Sequence, residues 1–566
     1  MSDFKNKVKN LYDKLKDHKI IFKSICSVLL GASVGFILFY IFLPPINLQS
    51  VGFWVYLTVV LFAFAYPFLG LKVEKYKQII TEPGKKKVKK NISDLQFNKW
   101  VAAIVCIPVA VIIIGLIISS TFFNARAYSR IITVTDADFS ADLPESTEIT
   151  NIALMDTDSA MMLGNKELGY LSDMISQYTV STYYTQINYK GAPKKVSNLE
   201  YDGFFKWIGN RDTGVPGMVL VDPVKADAEY QAFSAPIKYV ESAYFGEDLE
   251  RKLRFEYPTK IFDSISFEID ENGKPYYIVS CSRPQVLLFG ASDITEVIIF
   301  DPSDGSSEIF DVKNTPSWID VVYTGYLATE KYNWYGTLAG GFLNSIIGNV
   351  GCKQSTDDFG YIVIGDDVWY FTGVTSVVSD DKSNIGFILS NARTGEYKFY
   401  PVTGAEEHSA MAAAEGEVQE KGYVASFPSL VNIAGQPTYI MVLKNAAGVV
   451  ELYALVNVEN YGIVATGNTQ ADAMSAYKKL LRQNSVNIGD TDKSAKVTVE
   501  NVRIAMVADV ATVYITATDG TVYKGYLEAD EELILIRIGD TLDVKYTTGD
   551  SHKIHLISSW EFYTEE

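Results

Sequence analysis

Three long apolar runs crowd the first 123 residues, and they restrict what this chain can fold into more than anything that follows. Residues 20–43, 51–71 and 100–123 each supply the roughly 20 predominantly apolar residues that a helix rising about 1.5 Å per residue needs to cross a bilayer. The first run carries one lysine, Lys23, near its end, where the stem can snorkel to the interface. That run is too long for the apolar part of a secretory signal, starts well into the chain and lacks a small-residue cleavage motif, so it is expected to be retained. Nothing further along matches these runs.

Charge gives the runs a direction. Residues 1–99 hold 16 lysines, no arginine and 6 acidic residues, a net of +10 in a chain whose total is −18, which leaves −28 on residues 100–566. All of these lysines but Lys23 lie in residues 1–19 and 72–99, the second around Gly84-Lys-Lys-Lys-Val-Lys-Lys-Asn91, while the connection Pro44-Pro-Ile-Asn-Leu-Gln-Ser50 has no charge. By the positive-inside rule the N-terminus and the 72–99 loop are cytoplasmic, and the third span delivers everything after Phe123 to the outer side. Lysines beside spans are topology determinants and partners for anionic headgroups. The acidic outer part cannot bind nucleic acid by neutralising phosphates.

The spans contain no interior Asp, Glu or His, the residues that mark ion and proton pathways. Cys26 and Cys106 read as small apolar packers. Gly31, Gly35, Gly52, Gly70 and Gly115 permit close helix contact without the broken-helix pairs of a transporter, so the three spans read as an anchor.

Residues 130–566 alternate short strands, frequent glycine turns and a few helices, at a length that calls for two or three cores. Only Cys281 and Cys352 are available for oxidation there, too few for a disulfide framework. Residues 131–255 mix strands and helices: a strand over 149–154 leads to Asp156-Thr-Asp-Ser-Ala160, where Asp156 or Ser159 is expected to cap a helix. Gly217-Met-Val-Leu-Val-Asp222 is a strand ending in a turn carboxylate ahead of Pro223.

A local repeat follows. Residues 297–312, 386–402 and 439–455 each read strand, turn, strand, with glycine four positions after the turn opener: Asp301 and Gly305, Asn391 and Gly395, Lys444 and Gly448. A fourth hairpin turns at Asn272-Gly273, and a further strand pair spans 361–372. Gly273, Gly305, Gly395 and Gly448 are expected to take positive φ. A helix-compatible stretch follows each repeat: 318–322, 406–415 and 469–481. With Asp301, Gly305, Asn391, Arg393 and Gly395 as the matching positions, this pattern resembles PepSY-type domains, small extracytoplasmic α+β modules in which a helix covers an antiparallel sheet. Lys444 departs from the acidic or amide turn residue. The resemblance implies inhibitory or protein-contacting modules over residues 256–485.

Six strand candidates in residues 495–560, at 497–504, 510–518, 521–528, 532–537, 541–546 and 553–557, suggest a small OB- or SH3-like β-barrel. Tyr514, Tyr523 and Tyr546 lie there among more acids than bases and read as packing or interface residues.

The fold class is therefore three N-terminal transmembrane helices, then a large mixed α+β extracytoplasmic region with hairpin-plus-helix repeats and a small C-terminal β-barrel. The segments are 1–19 cytoplasmic, 20–123 anchor with the loop 72–99, 131–255 mixed α/β, 256–485 repeated modules and 495–560 barrel. Hydrolase, zinc-protease, nucleotide and dinucleotide fingerprints are absent from the sequence. The catalytic candidates are the carboxylates Asp156, Asp222 and Asp320, and the metal candidates are His552 and His555, whose spacing on a strand points them to opposite faces. Asp156 with Asp158 is a paired-carboxylate alternative. Asp301–Glu308 lacks the spacing of a calcium loop, and Asp357-Asp358 and Asp380-Asp381 read as turns. The aromatic and glycine-rich stretch 332–351 is either a surface element resting on a membrane or partner or ordinary packing. No cofactor is implied. Expected partners are the lipid bilayer and another envelope or membrane protein, with a homo-oligomer open and nucleic acid excluded. Two functions fit: a membrane-tethered extracytoplasmic scaffold or protein-interaction protein, or a carboxylate-dependent cell-envelope hydrolase or wall-modifying enzyme.

Overall fold

The computed structural model describes residues 2–69, 72–80, 88–96, 99–143, 157–225, 227–356, 358–378, 383–446, 448–484, 493–507, 510–527, 530–548 and 554–563. Helices α1 (Ser2–Phe42), α2 (Val51–Leu69) and α3 (Lys99–Ser119) hold the apolar runs. Within them Ile21–Phe42, Val51–Phe68 and Val101–Ser119 are long and apolar enough to span. Small residues seat them: the Gly35 carbonyl accepts the Tyr56 hydroxyl at 3.1 Å, and a Cβ at Gly31 would collide with the Phe64 ring. The two arms of the lysine-rich connection 72–99 are paired strands, β1 (Lys72–Ile80) and β2 (Val88–Gln96), in register from Lys72 opposite Gln96 to Ile80 opposite Val88.

Helix α4 (Thr121–Tyr128) continues from α3 into the outer region, where β3 (Val134–Asp136), α5 (Phe139–Asp142) and α6 (Thr157–Gly169) follow. The expected strand over 149–154 and the Asp156 cap lie outside the described residues. The first sheet comprises β4 (Tyr178–Val180), β5 (Thr185–Tyr189), β6 (Ala192–Tyr201), β7 (Val215–Asp222) and β8 (Asp227–Ile237), with α7 (Phe204–Asn210) between β6 and β7. After α8 (Leu249–Glu256) comes a four-stranded meander of β9 (Ile261–Ile269), β10 (Pro275–Val286), β11 (Gly290–Phe300) and β12 (Ser307–Asp311). Helix α9 (Gly325–Leu338) leads to β13 (Lys353–Ser355), β14 (Gly360–Ile364), β15 (Asp367–Ser376), β16 (Ser383–Asn384), β17 (Gly386–Asn391), β18 (Tyr397–Tyr400) and β19 (Gly404–Ala405). β3 returns to pair parallel with β18 and ties the start of the outer region into this third sheet. Helix α10 (Glu407–Glu417) precedes β20 (Val424–Ala425), β21 (Ser429–Ile433), β22 (Gln436–Lys444), β23 (Val450–Asn457) and β24 (Val464–Gly467), and α11 (Gln470–Gln483) covers that sheet. One core joins the first two sheets through Leu220, Phe267 and Phe300, and another joins the third and fourth through Phe371, Phe387 and Tyr439.

The repeat exists, but its unit differs from the hairpin-then-helix expectation. Each unit runs connecting segment, helix, sheet, and closes when the segment docks on the last turn of its own sheet. The Pro302 carbonyl accepts the N–H groups of Lys238 and Tyr239 (2.8 and 3.1 Å), and the Ala392 carbonyl accepts those of Val322 and Tyr323 (2.9 and 2.8 Å). The Val458 carbonyl accepts that of Ala405 (2.8 Å). The third turn is therefore led by Asn457, not Lys444: Lys444–Gly448 joins β22 to β23, one strand too early. Residues 318–322, expected to be helical, form turns. The helix begins after them because Thr324 caps α9, its side chain accepting from the Leu327 N–H.

The fold class also needs correction toward the C-terminus. The sheet of β20–β24 is open and belongs to no barrel. Of the six strands expected beyond it, 532–537 is replaced by a short 3-10 turn, Glu531–Leu535. The remaining five strands are β25 (Lys493–Val507), β26 (Val510–Ala517), β27 (Val522–Tyr526), β28 (Thr541–Thr548) and β29 (Ile554–Phe562). They close on themselves in the order β25-β26-β27-β29-β28, with β27 and β29 parallel. Long β25 makes this closure: it pairs with β28 through its first half and with β26 through its second.

Candidate functional site

Among the described residues, Asp320 is the sequence candidate that the fold draws into a cluster. The segment before α9 carries it inward against β9, where Glu268 is fully buried and Asp320 is 4% exposed. Glu268 accepts the backbone N–H groups of Asp320 (2.8 Å) and Val321 (3.0 Å), and Asp320 accepts that of Asn188 in β5 (2.8 Å). Three elements from consecutive units thus meet on two carboxyl groups. Burial raises the pKa of both, and for Asp320 the neighbouring Glu268 charge adds to it. The two titrate as a pair, and Glu268, with two backbone donors, is the better placed to hold the charge while Asp320 holds the proton. Close by, Arg393 engages Asp367 through Nε (2.8 Å) and Nη2 (2.6 Å), and the Asn391 amide donates to the same carboxylate at 2.9 Å.

Two more buried glutamates recur in the same role. Glu200 accepts the Ser242 N–H at 2.9 Å and also its hydroxyl, and Glu407 accepts the Gly373 N–H at 2.6 Å. Burial raises both, Glu407 to about 7. These glutamates satisfy backbone donors that would otherwise be stranded in the interior. For Glu200 and Glu268 the sequence offered one signal, an acidic residue within an apolar strand, as in Ser266-Phe-Glu-Ile; Glu407, at the head of α10, offered none.

Of the other candidates among the described residues, neither Asp222 nor His555 joins Asp320. Asp222 ends β7 in a turn, as expected from its Pro223: it pairs with Lys194 at 2.6 Å and accepts the Val224 and Lys225 N–H groups at 3.0 Å. Burial pushes its pKa up, but Lys194 and the two N–H donors outweigh that and leave it lowered. It opens a turn equivalent to those at Asp301, Asn391 and Asn457, whose side chains likewise accept N–H groups two or three residues on. Asp156 and His552 lie outside the described residues, as do Asp357, Asp380 and Asp381. Asp158 is exposed in the first turn of α6 and His408 is exposed in α10. His555 sits in β29 against Tyr546 (4.6 Å) and Tyr523 (5.6 Å), a packing role for both tyrosines. Among the described residues no group of His, Cys, Asp and Glu could hold a metal ion. Cys281 and Cys352 are buried free thiols. Gly273, Gly305, Gly395 and Gly448 all have φ between 71° and 81°.

The anchor and outer region are in direct contact. The Ile46 N–H donates to the Pro258 carbonyl (2.6 Å), Asn47 Nδ2 to the Thr259 carbonyl (2.9 Å), and Arg283 Nε to Gln49 Oε1 (3.2 Å). At the end of α3, Ser119 Oγ accepts the N–H groups of Leu288 and Phe289 (3.2 and 3.1 Å). The sheets therefore stand on the face of the uncharged 44–50 turn, opposite the lysine hairpin. The chain is a multi-pass membrane protein whose anchor carries a large extracytoplasmic α+β region.

No protein-family model and no curated protein matches the chain. Among solved structures it is similar to a cobalt-substituted apocarotenoid oxygenase from Synechocystis, at 9% identity and a TM-score of 0.12, covering 50% of this chain and 46% of that one. A single-residue mutant of the Synechocystis enzyme gives 9% identity, a TM-score of 0.12 and coverage of 68% and 65%. The chain thus spans 46–65% of these structures' length, and a likeness at that score carries no argument about fold or activity.

Proposed function

We propose that this protein is a membrane-tethered extracytoplasmic scaffold whose C-terminal barrel holds another envelope or membrane protein. The observation that carries this reading is a groove of about 390 Å³ across β25, β28 and β29, lined by Lys496, Lys545, Asp543, Glu561 and Trp560. Charges of both signs along this groove suit a peptide segment better than a single-sign ligand, since they set register, while the Trp560 indole packs against the barrel core and donates to Asp530 at 2.7 Å. The same barrel exposes Met506 and Ile538, each about 70% accessible. The turn units led by Asp301 and Asn391, with their resemblance to PepSY-type protein-contacting modules, support the same class.

The test is photocrosslinking from position 545 in intact cells. A recurring partner that disappears when Asp543→Lys and Glu561→Lys reverse the acidic side of the groove supports the scaffold. The same neighbours with and without these reversals, or none, overturns it.

The hydrolase reading has one observation in its favour, the raised Asp320–Glu268 pair. Asp320→Asn in the purified full-length protein decides it. Lost wall-hydrolysing activity with unchanged melting supports an enzyme, and altered melting without an effect on hydrolysis supports a packing role.

A further inference from the structure

Three apolar prominences of the outer region surround the outer ends of the spans. The first is the turn between β10 and β11. A Cβ placed on Gly115 would lie 2.4 Å from the Phe289 ring and 3.2 Å from Leu288, so both side chains lie against α3 at that level. Gly115 is four residues short of the end of α3 at Ser119, which puts the Phe289 ring about 6 Å inside the helix end at 1.5 Å per residue. Leu287, at the tip, is 56% exposed.

The second lies at α1. Phe255, in the last turn of α8, packs edge-on against Phe39 (5.3 Å) and Tyr40 (6.2 Å), inside the span that ends at Phe42. Arg251 joins this point to the neighbouring aromatic cluster: its guanidinium lies 4.4 Å over the Tyr40 ring and donates to the carbonyls of Tyr40 (3.3 Å) and Phe245 (2.8 Å). Phe245 then packs with Phe204, whose neighbour Phe205 is 83% exposed.

The third follows α9. Phe342 packs on Phe122 at 5.0 Å, just beyond the end of α3, and Leu343, Ile346, Ile347 and Val350 beyond it are 58–80% exposed. Residues 332–352 contain no charged side chain. The backbone here is closed on itself, because the Asn344 side chain donates to the Val350 carbonyl (3.0 Å) and accepts its N–H (3.1 Å). A loop that closes on itself through Asn344 and Val350 while its exposed large side chains are all apolar suits the boundary of a hydrocarbon layer.

We propose that the outer region lies against the outer leaflet and inserts these three prominences into the bilayer interface, so that the ligand of this surface is lipid. Continuity with the spans carries the assignment: Phe289 and Phe255 already sit at the depth of spanning residues, and Phe342 packs edge-on against Phe122 at their rim. Aromatic residues at that level form the belt typical of membrane–water interfaces.

The test uses the full chain in phosphatidylcholine–phosphatidylglycerol vesicles with a lipid-soluble photoactivatable carbene probe, the labelled peptides being mapped by mass spectrometry. Label is expected on 204–208, 287–289 and 343–350 at levels comparable to the outer turns of the spans. A double substitution, Leu343→Glu with Ile347→Glu, should reduce label on 343–350 to background and leave 287–289 unchanged. Label confined to 21–42, 51–68 and 101–119 overturns the proposal. So does labelling of 343–350 in vesicles together with protection in native membranes, which would assign that surface to a protein.

Discussion

Glu407 sits at the head of α10 with 1% of its surface exposed and one backbone N–H, that of Gly373, on its carboxylate. Burial raises its pKa to about 7 against an ordinary value of 4.5. Between those two pH values the folded chain holds a proton that the unfolded chain has released, so stability falls as pH rises through that window. The full difference is about 3 kcal/mol for this group. Glu407→Gln should flatten the urea midpoint between pH 5 and pH 8 and raise stability at pH 8; an unchanged slope would place the pH dependence in Glu268, Asp320 or Glu200. Gly395 is a second residue with a single physical reason. Its φ is 71°, and a Cβ would lie 2.9 Å from the Tyr323 ring, as Gly305 has φ 78° beneath Tyr239. Gly395→Val should cost at least about 2 kcal/mol from backbone strain alone, measured by chemical denaturation. The positive φ at Gly395 was legible in the turn spacing, whereas the tyrosine above it was not, because Tyr323 is 72 positions earlier in the chain.

At the scale of elements, α11 is held to its sheet by polar as well as apolar contacts. The Tyr477 hydroxyl meets Thr438 Oγ1 at 2.9 Å and accepts from Asn457 Nδ2 at 3.0 Å, all three buried. Tyr477→Phe strands an amide proton and should destabilise the protein by about 1–3 kcal/mol, with faster amide exchange in α11 and β23 than elsewhere. A loss spread evenly over all four sheets would mean that the triad does not hold this junction. Helical spacing over 469–481 puts Ala471, Met474, Tyr477, Lys478 and Leu481 on one side; Met474, Tyr477 and Leu481 are buried, whereas Ala471 is exposed and Ala473 enters the core in its place. The repeat was harder to read. Asp222, Asp301 and Asn391 each open the last turn of a sheet, but in the fourth sheet the turn from Asn457 to Gly462 is one residue longer. The regular spacing at Lys444–Gly448 therefore matched a different hairpin. What defines the unit is the docking of 238–239, 322–323 and 405 on these turns, contacts between segments 50 or more residues apart.

For the molecule as a whole, the anchor helices and the sheets meet at the 44–50 turn and at Ser119, so the outer region is seated on its spans. A protease applied to spheroplasts should cut after Phe123 and leave 72–99 protected, while permeabilised cells should lose both; cleavage restricted to the cytoplasmic side would overturn the topology. Arg251→Ala removes the link among Tyr40, Phe245 and the α8 helix. It should speed amide exchange at 257–260 and 44–50 without a comparable change in the barrel, and uniform exchange would show that the seat does not depend on this guanidinium.

Spanning helices and topology were fixed by sequence alone, because both depend on local quantities: about 20 apolar residues in a row, and lysines counted on either side of them. Strand periodicity and turn glycines were local in the same sense. The pairing of Glu268 with Asp320, the Asn457-led unit, the closure of β25 on two partners and the seat of Phe289 against Gly115 were decided only by tertiary structure. Each joins residues far apart in sequence, and none leaves a periodic trace, since a buried carboxylate is defined by the backbone donors the fold brings to it and not by its neighbours in the chain.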